Sequence, residues 1–393
     1  MTKPRVLVLA HYYLPGYKAG GPVRSISNLV EGLGDEFDWW IVTADHDFGV
    51  REPYPGVRSD VWMQVGKARV YYASSASRTA RGMIRTIRST PHDMLYLNSF
   101  FDPVFSILPA TALWLGGLRR RPCLVAPRGE FSGGALGIKS WKKRAYLFFA
   151  RAAGVYRGVA WHASSTFEAA DIAREMGAGA RVHVAAVLAA KTPEESESGT
   201  VSQGGDELRV CFLSRIARMK NLDFALRALE SVRARVHFRV YGPREDEGYW
   251  NKCVDLATKL PPNVRMTYEG VVPPERVGAT IAENDLFFLP TRGENFGHAL
   301  SEALSAGVPV LTSDRTPWRH LEEAGVGWDL PLTDSGAFAR VIDQAALRGD
   351  DERRAVRAKC MEYARLRARD EGSLEANRRM FDAVVSGKRA GGA

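Results

Sequence analysis

Cysteine is scarce. The 393 residues hold four, Cys123, Cys211, Cys253 and Cys360, and none stands in a CxxC pair. Isolated cysteines exclude a disulfide framework and a structural zinc site, and they fit a reducing compartment. A long apolar run is also lacking, and a spanning helix needs about 20 mostly apolar residues. The most apolar stretch, Phe100 to Leu118, is interrupted by Asp102, Pro103 and Pro109 and runs into Arg119-Arg120-Arg121. A buried helix with a basic end is expected there, with a membrane-skimming segment as the other reading. Residues 1–10 give an apolar run too short for the core of a secretory signal. The expected location is therefore cytoplasmic.

Several motifs are missing as well. Gly20-Gly21 belongs neither to a GxGxxG fingerprint nor to a GxxxxGK[ST] phosphate loop. Ser164 and Ser165 lack a GxSxG context, which leaves a serine hydrolase without support. His298 and Glu302 are four apart without HExxH, so zinc is not expected there. No helix-turn-helix, RNA-recognition or zinc-finger pattern accompanies the basic residues, so nucleic acid is not an expected partner.

What is present is ordinary globular composition, 45% hydrophobic and 25% charged, in a length that suits two or three domains. Lys and Arg total 54 against 45 Asp and Glu, a net charge of +9 that favours anionic partners. Short apolar runs at 5–10, 39–44, 94–97, 123–126 and 159–163 alternate with helical patterns such as Ser25–Leu33. Strands alternating with helices imply crossover units and a parallel sheet. Residues 191–207 hold almost nothing apolar and read as a linker. A second series follows at 208–213, 236–240, 264–268, 285–289 and 308–312, with helices over Asp223–Val232 and Gly297–Ala306. A charged helix or helix pair occupies about 350–385, and the last seven residues, from Gly387, read as disordered. The expected fold is α/β, two domains of similar size at 1–190 and 208–364 joined by that linker. Ligands of open parallel sheets sit beyond the carboxyl ends of the strands, which makes the cleft of such a pair the default site.

The densest constellation runs from Thr291 to Leu304, after the strand at 285–289. Gly297 opens a helix there whose buried face is Ala299, Leu300, Ala303 and Leu304. Glu294 lies in the strand-to-helix loop and Glu302 just over one turn into the helix. Free amides at Gly297, His298 and Ala299 make an anion site. Two carboxylates beside it can accept hydrogen bonds from hydroxyls, which suits a sugar nucleotide. Arg215 and Lys220 follow the strand at 208–213, where two cations can neutralise a diphosphate leaving group. Arg218 reads as a surface cation. Gly20-Gly21 follows the first strand, where backbone can approach a ligand closely.

Glu294-x7-Glu302 within GENFGHALSEALSAGVPV, the Arg215-x4-Lys220 pair and the Gly20-Gly21 loop come in one order. Together they resemble the retaining GT-B glycosyltransferases of family 4, also called group 1. The resemblance implies two Rossmann-like domains facing across a donor cleft. It also implies a C-terminal helix, at about 365–385, that crosses back to the N-terminal acceptor domain. Arg215 and Lys220 would grip the donor diphosphate and Glu294 would contact the donor sugar. Asn295, Phe296, Gly297 and His298 would line sugar and phosphate, and Glu302 would bind the ribose. Gly20 and Gly21 would lie against the donor phosphates. Transfer would keep the anomeric configuration without a protein nucleophile, a metal or another cofactor. The expected partners are a nucleoside-diphosphate sugar and a saccharide or lipid-linked saccharide acceptor, in surface polysaccharide biosynthesis.

One departure stands out. Many members carry a histidine after the fourth strand of the N-terminal domain, and the matching stretch here reads Ala126-Pro127-Arg128-Gly129-Glu130. Arg128 or Glu130 is the acceptor-side candidate in its place. Asp45-His46-Asp47 imitates a metal-binding DxD; a solvated loop is expected, with an acceptor-facing loop or a metal site as the other readings. Tyr241-Gly242-Pro243 ends the strand at 236–240, near where a nucleotide base would lie. His162 reads as a satisfied core histidine. Residues 138–149 mix Lys and Arg with Trp141, Tyr146, Phe148 and Phe149. Either this helix buries its aromatics in its own domain, or it meets an anionic inner membrane face. Two other functions remain: a non-hydrolysing nucleotide-sugar epimerase, and a non-enzymatic binder of membrane or anionic polymer. The paired glutamates speak against the first, and the strand-end cations against the second.

Overall fold

The computed structural model describes residues 3–137, 140–188, 207–368 and 371–387. Apart from Glu207 the linker expected at 191–207 lies outside the described residues, as do 388–393 of the tail and Ile138 and Lys139. The chain divides into two compact units, Met1–Leu188 with Glu371–Ala393, and Ala189–Asp370.

Unit 1 is built on β1 (Arg5–Leu9), β2 (Asp38–Ala44), β3 (Trp62–Val65), β4 (Ala68–Ala73), β5 (Met94–Leu97), β6 (Cys123–Val125), β7 (Ala160–Ala163) and β8 (Arg181–Val184). Their order is β3-β4-β2-β1-β5-β6-β7-β8. Every pairing is parallel except that of β3 with β4. Side chains of β1 alternate between two cores. Val6 and Val8 pack with Ile26, Leu29 and Leu33, while Leu7 and Leu9 pack with Met83, Ile87 and Phe105. Burial on both faces makes a central strand a continuous apolar run, and such runs are legible in sequence. The edge strands β3 and β8 keep most of their residues half-exposed, so they carry no such run. The expectation of an all-parallel sheet is corrected by that β3–β4 hairpin.

The closing helix, Glu371–Val385, packs in unit 1. Phe381 is fully buried there, with ring centroids 5.6 Å from Phe37, 5.2 Å from Trp39 and 5.4 Å from Tyr96. The preceding helix, Asp350–Ala368, buries Cys360 and Ala364 in the core of unit 2. The chain therefore passes from unit 2 to unit 1 after Ala368, later than the boundary expected at 364.

The stretch from Phe100 to Leu118 is not one buried helix. A single π-turn, Pro103–Ile107, is capped by Asp102 Oδ1, which accepts from the amides of Val104 (2.9 Å) and Phe105 (2.7 Å). Pro109 has no amide to continue that ladder. A short helix, Leu108–Trp114, follows, and Trp114 and Leu115 are exposed. Among the described residues no helix is long and apolar enough to cross a membrane.

Unit 2 has a six-stranded parallel sheet of β9 (Leu208–Leu213), β10 (Val236–Tyr241), β11 (Val264–Gly270), β12 (Leu286–Leu289), β13 (Val310–Ser313) and β14 (Gly327–Leu330). The order is β11-β10-β9-β12-β13-β14. β14 escapes a sequence reading because it starts on a glycine. A Cβ at Gly327 would lie 2.1 Å from the Val310 carbonyl, so close strand approach excludes the β-branched residues that announce a strand. Strand order reverses at β1/β5 in unit 1 and at β9/β12 in unit 2. Loops at the carboxyl ends of those strands frame a crevice in each sheet.

Candidate functional site

In unit 2 the loops after β9 and β12 are tied together by Asn221. Its φ of 63° is left-handed, which asparagine tolerates better than most residues. Its buried side-chain amide donates to the Pro290 carbonyl (2.9 Å) and its oxygen accepts from Arg292 Nε (2.9 Å). The Arg292 amide in turn donates to the Met219 carbonyl at 2.8 Å. This zipper brings Lys220 onto Glu294, and the two form a hydrogen-bonded ion pair. Their side chains are 15% and 13% exposed, so the pair is shielded yet reachable from solvent.

Gly297 has φ 79° and precedes the helix His298–Ser305. A Cβ there would sit 3.0 Å from Leu300 Cδ1 and 3.1 Å from Trp318 Nε1, so both backbone angle and space require glycine. Trp318, buried at 1% exposure, donates from Nε1 to the Phe296 carbonyl at 2.5 Å. That bond fixes the turn into the helix. Phe296 and His298 lie ring to ring at 4.7 Å. Asn295 and Glu302 are partly buried in the same loop and helix. Leu300, Ala303 and Leu304 form the buried face as expected, and Ala299 is only half-buried.

Arg215 is placed differently from Lys220. Its Nη1 donates to Glu245 Oε2 at 2.6 Å, from the loop after β10. A Cβ at Gly242 would lie 1.9 Å from the Ser214 carbonyl, which shows how closely these two loops pass. Arg218 pairs with Asp246 at 3.2 Å and is 55% exposed, in keeping with a surface cation. Next to Gly242 stands Arg244, whose guanidinium is 4.9 Å from the Trp250 ring and 4.6 Å from the Tyr268 ring. Asn221, Arg292 and Trp318 were not singled out by sequence, since each acts through a partner distant along the chain, and neither was Arg244.

In unit 1 Gly20 has φ 72° and caps the helix Gly21–Leu33, with Pro22 in its first turn. The loop before it is held by Asp47, whose Oδ2 accepts from the amides of Tyr17 (3.0 Å) and Lys18 (3.2 Å). Asp45 accepts from Ser59 Oγ at 2.9 Å. Both carboxylates are buried, which corrects the expectation of a solvated loop. Short carboxylates next to bare amides satisfy the loop backbone, so their lone pairs are used internally. Among the described residues no group of three or more His, Cys, Asp or Glu could hold a metal ion.

Arg128 lies after β6 with φ 54°. Its Nε donates to Asn98 Oδ1 (2.9 Å) and its Nη2 to the Tyr96 hydroxyl (2.8 Å). Behind Tyr96 is His162, Nδ1 at 2.7 Å from the hydroxyl and Nε2 at 2.8 Å from the Ala185 carbonyl. His162 is thus a satisfied core histidine. Burial and the Arg128 charge push its pKa down to about 3, so it stays neutral. Glu130 faces the other way. It accepts from the amides of Phe100 (2.5 Å) and Phe101 (3.0 Å) and from Ser99 Oγ (2.9 Å), and burial pushes its pKa up in spite of those bonds. Of the two acceptor-side candidates, Glu130 is used up in holding the loop after β5.

The basic aromatic helix, Ser140–Ala152, settles its own question in part. Leu147 is buried, whereas Trp141, Phe148 and Phe149 are 72%, 78% and 54% exposed, so burial of all its aromatics in their own unit is corrected.

Comparison with known proteins bears on this arrangement. Residues 195–367 match the family described as Glycosyl transferases group 1. D-inositol 3-phosphate glycosyltransferase of Rhodococcus erythropolis is 30% identical over 131 residues, 31% of this chain. The match spans 30% of that relative's length. Sucrose-phosphate synthase from Thermosynechococcus elongatus superimposes with a TM-score of 0.71 at 16% identity, over 98% of this chain and 100% of that one. HepE of Anabaena, solved in complex with UDP and glucose, gives 0.67 at 14% identity over 98% and 100%. The chain thus has the α/β fold with parallel sheets in two units that GT-B glycosyltransferases share, and the part that matches the group 1 family lies in unit 2.

Proposed function

We propose that this chain is a retaining, metal-independent glycosyltransferase of family 4 and of hexosyltransferase type. It moves a sugar from a nucleoside diphosphate to a saccharide or lipid-linked saccharide in surface polysaccharide biosynthesis. The observation that carries this reading is the Lys220–Glu294 pair, set where strand order reverses and beside the helix start at Gly297. Lys220 and Arg215 take the diphosphate, Glu294 the sugar hydroxyls, and the amides after Gly297 the remaining phosphate charge. Glu302 takes the ribose. The bond from the anomeric carbon to the phosphate oxygen breaks as the acceptor oxygen bonds to the same face. The electron pair leaves with the diphosphate, which helps to remove the acceptor proton. Arg128, held by Asn98 and Tyr96, is assigned to the acceptor, and Gly20 and Gly21 to donor phosphate by their backbone.

A thermal-shift panel with UDP, GDP, ADP and CDP, each with and without a divalent-metal chelator, tests this. A ligand that binds only the folded chain raises Tm, by about 2.7 kcal/mol of added stability at 100 times its Kd. One nucleotide is expected to act selectively and independently of chelator, and UDP, named with HepE, is the first candidate. A panel without any response removes the donor-site reading.

The same proposal places the protein in the cytoplasm and at the inner face of the membrane. Trp141, Phe148 and Phe149 are exposed beside Lys142 and Arg144, a mixture that suits an anionic lipid surface. Vesicles containing anionic lipid are expected to sediment the protein. Trp141→Ser with Phe148→Ser is expected to weaken that binding at least tenfold, and undiminished binding by the double variant rejects this face.

A further inference from the structure

The carboxyl ends of β1 and β5 flank the reversal of strand order in unit 1. His11 follows the first and Asp102 the second, and His11 Nδ1 lies 2.7 Å from Asp102 Oδ2. Asp102 is fully committed. Its Oδ1 accepts from two amides, and its own amide donates to Ser99 Oγ at 3.2 Å, the hydroxyl that Glu130 holds. Burial opposes its charge, yet the bonds from His11 and from the Phe105 and Val104 amides keep its pKa below the usual carboxylate range. An ionised carboxylate only accepts, so Nδ1 of His11 carries the proton in that bond. In the neutral ring Nε2 is then an acceptor, and among the described residues no group is bonded to it.

The surroundings narrow the ligand. The His11 side chain is 37% exposed, and Tyr12 stacks on it at 4.3 Å. Phe105, fully buried, backs the ring at 5.2 Å, His46 stands 6.4 Å away, and Phe48 meets Tyr12 edge-on at 5.9 Å. Asp45 and Asp47 flank His46, and Arg78 Nη2, 3.9 Å from Asp45 Oδ1, offsets one of them, so with Asp102 the carboxylates near the ring still outnumber the cation paired with them. A neutral ligand with hydroxyls to donate and C–H faces to lay on aromatic rings fits this collar.

We infer that His11 and Asp102 form a saccharide-binding subsite of unit 1, in which His11 Nε2 accepts a hydrogen bond from a sugar hydroxyl and Asp102 is the positioning residue. Read with the proposed transferase activity, on which its role in acceptor binding rests, this subsite orients the acceptor. Glu130 supports it through Ser99 and the loop that presents Asp102.

Histidine 15N NMR of the full chain tests the inference, with His11→Phe assigning the signal. The expected tautomer is the Nδ1-protonated one, and Nε2 protonation overturns the subsite. Methyl glycosides of glucose, galactose and mannose are then titrated. At least one is expected to shift the His11 Nε2 signal, with Asp102→Asn weakening its apparent Kd about tenfold, or 1.4 kcal/mol. The nucleotide thermal-shift panel runs on the same samples. Nucleotide response without any glycoside shift overturns the subsite and leaves the transferase reading standing. A glycoside shift without nucleotide response keeps the subsite and removes the transferase reading. Silence in both removes both.

Discussion

Lys220→Ala and Glu294→Ala are each expected to lower the proposed sugar transfer by about 10²–10³-fold, the loss that follows removal of one group aimed at developing charge. Lys220 stands on the zipped loops after β9 and β12, and Glu294 is its direct partner. Neither variant is expected to unfold the chain. The pair is partly shielded, and the partner left behind still reaches water, so the cost is on the order of 1 kcal/mol. That corresponds to a fall in Tm of about 2–4 °C. Because the two side chains touch, their effects are not independent. The double variant is expected to lose far less than the product of the single losses. Turnover with the donor that the nucleotide panel identifies, measured on all three variants, checks this. Near-native turnover in both single variants rejects the site.

Phe381→Ala is expected to destabilise unit 1 by about 3–5 kcal/mol, the cost of emptying a large aromatic from a closed core. The side chain is fully buried among Phe37, Trp39 and Tyr96, on strands and turns that precede it by more than 280 positions. Hydrogen exchange read by mass spectrometry separates the units. Protection is expected to fall in β1, β2 and β5 and to hold in β9, β10 and β12. Equal loss in both sets contradicts the assignment of the closing helix to unit 1. Since that helix follows the whole of unit 2 in the chain, unit 1 completes its core only after unit 2 has been made.

Much of this protein is written locally. The central strands β1, β2, β5, β9 and β12 are legible because burial on both faces leaves a run of Val, Leu, Ile and Phe. The Gly297 helix start is legible too, since a left-handed turn before an apolar-periodic helix calls for glycine. The edge strands β3 and β8 were missed because half of each faces solvent, and β14 because Gly327 must pass the Val310 carbonyl. Lys220 and Glu294 were singled out separately, and their pairing is set by the ties between their loops, among them Asn221 with Arg292, 71 positions apart. His11 and Asp102 stand 91 positions apart, and no spacing rule links them. Asp45 and Asp47 looked like surface charge in sequence and turned out to be loop clamps, since a carboxylate's partners depend on which amides come near it. The sequence by itself thus determined the α/β class, the central strands and the loops that could bear chemistry, all properties of periodicity over a few residues. Only the tertiary structure decided which of those loops meet, because hydrogen bonds and ion pairs are set by the order of strands in a sheet and not by distance along the chain.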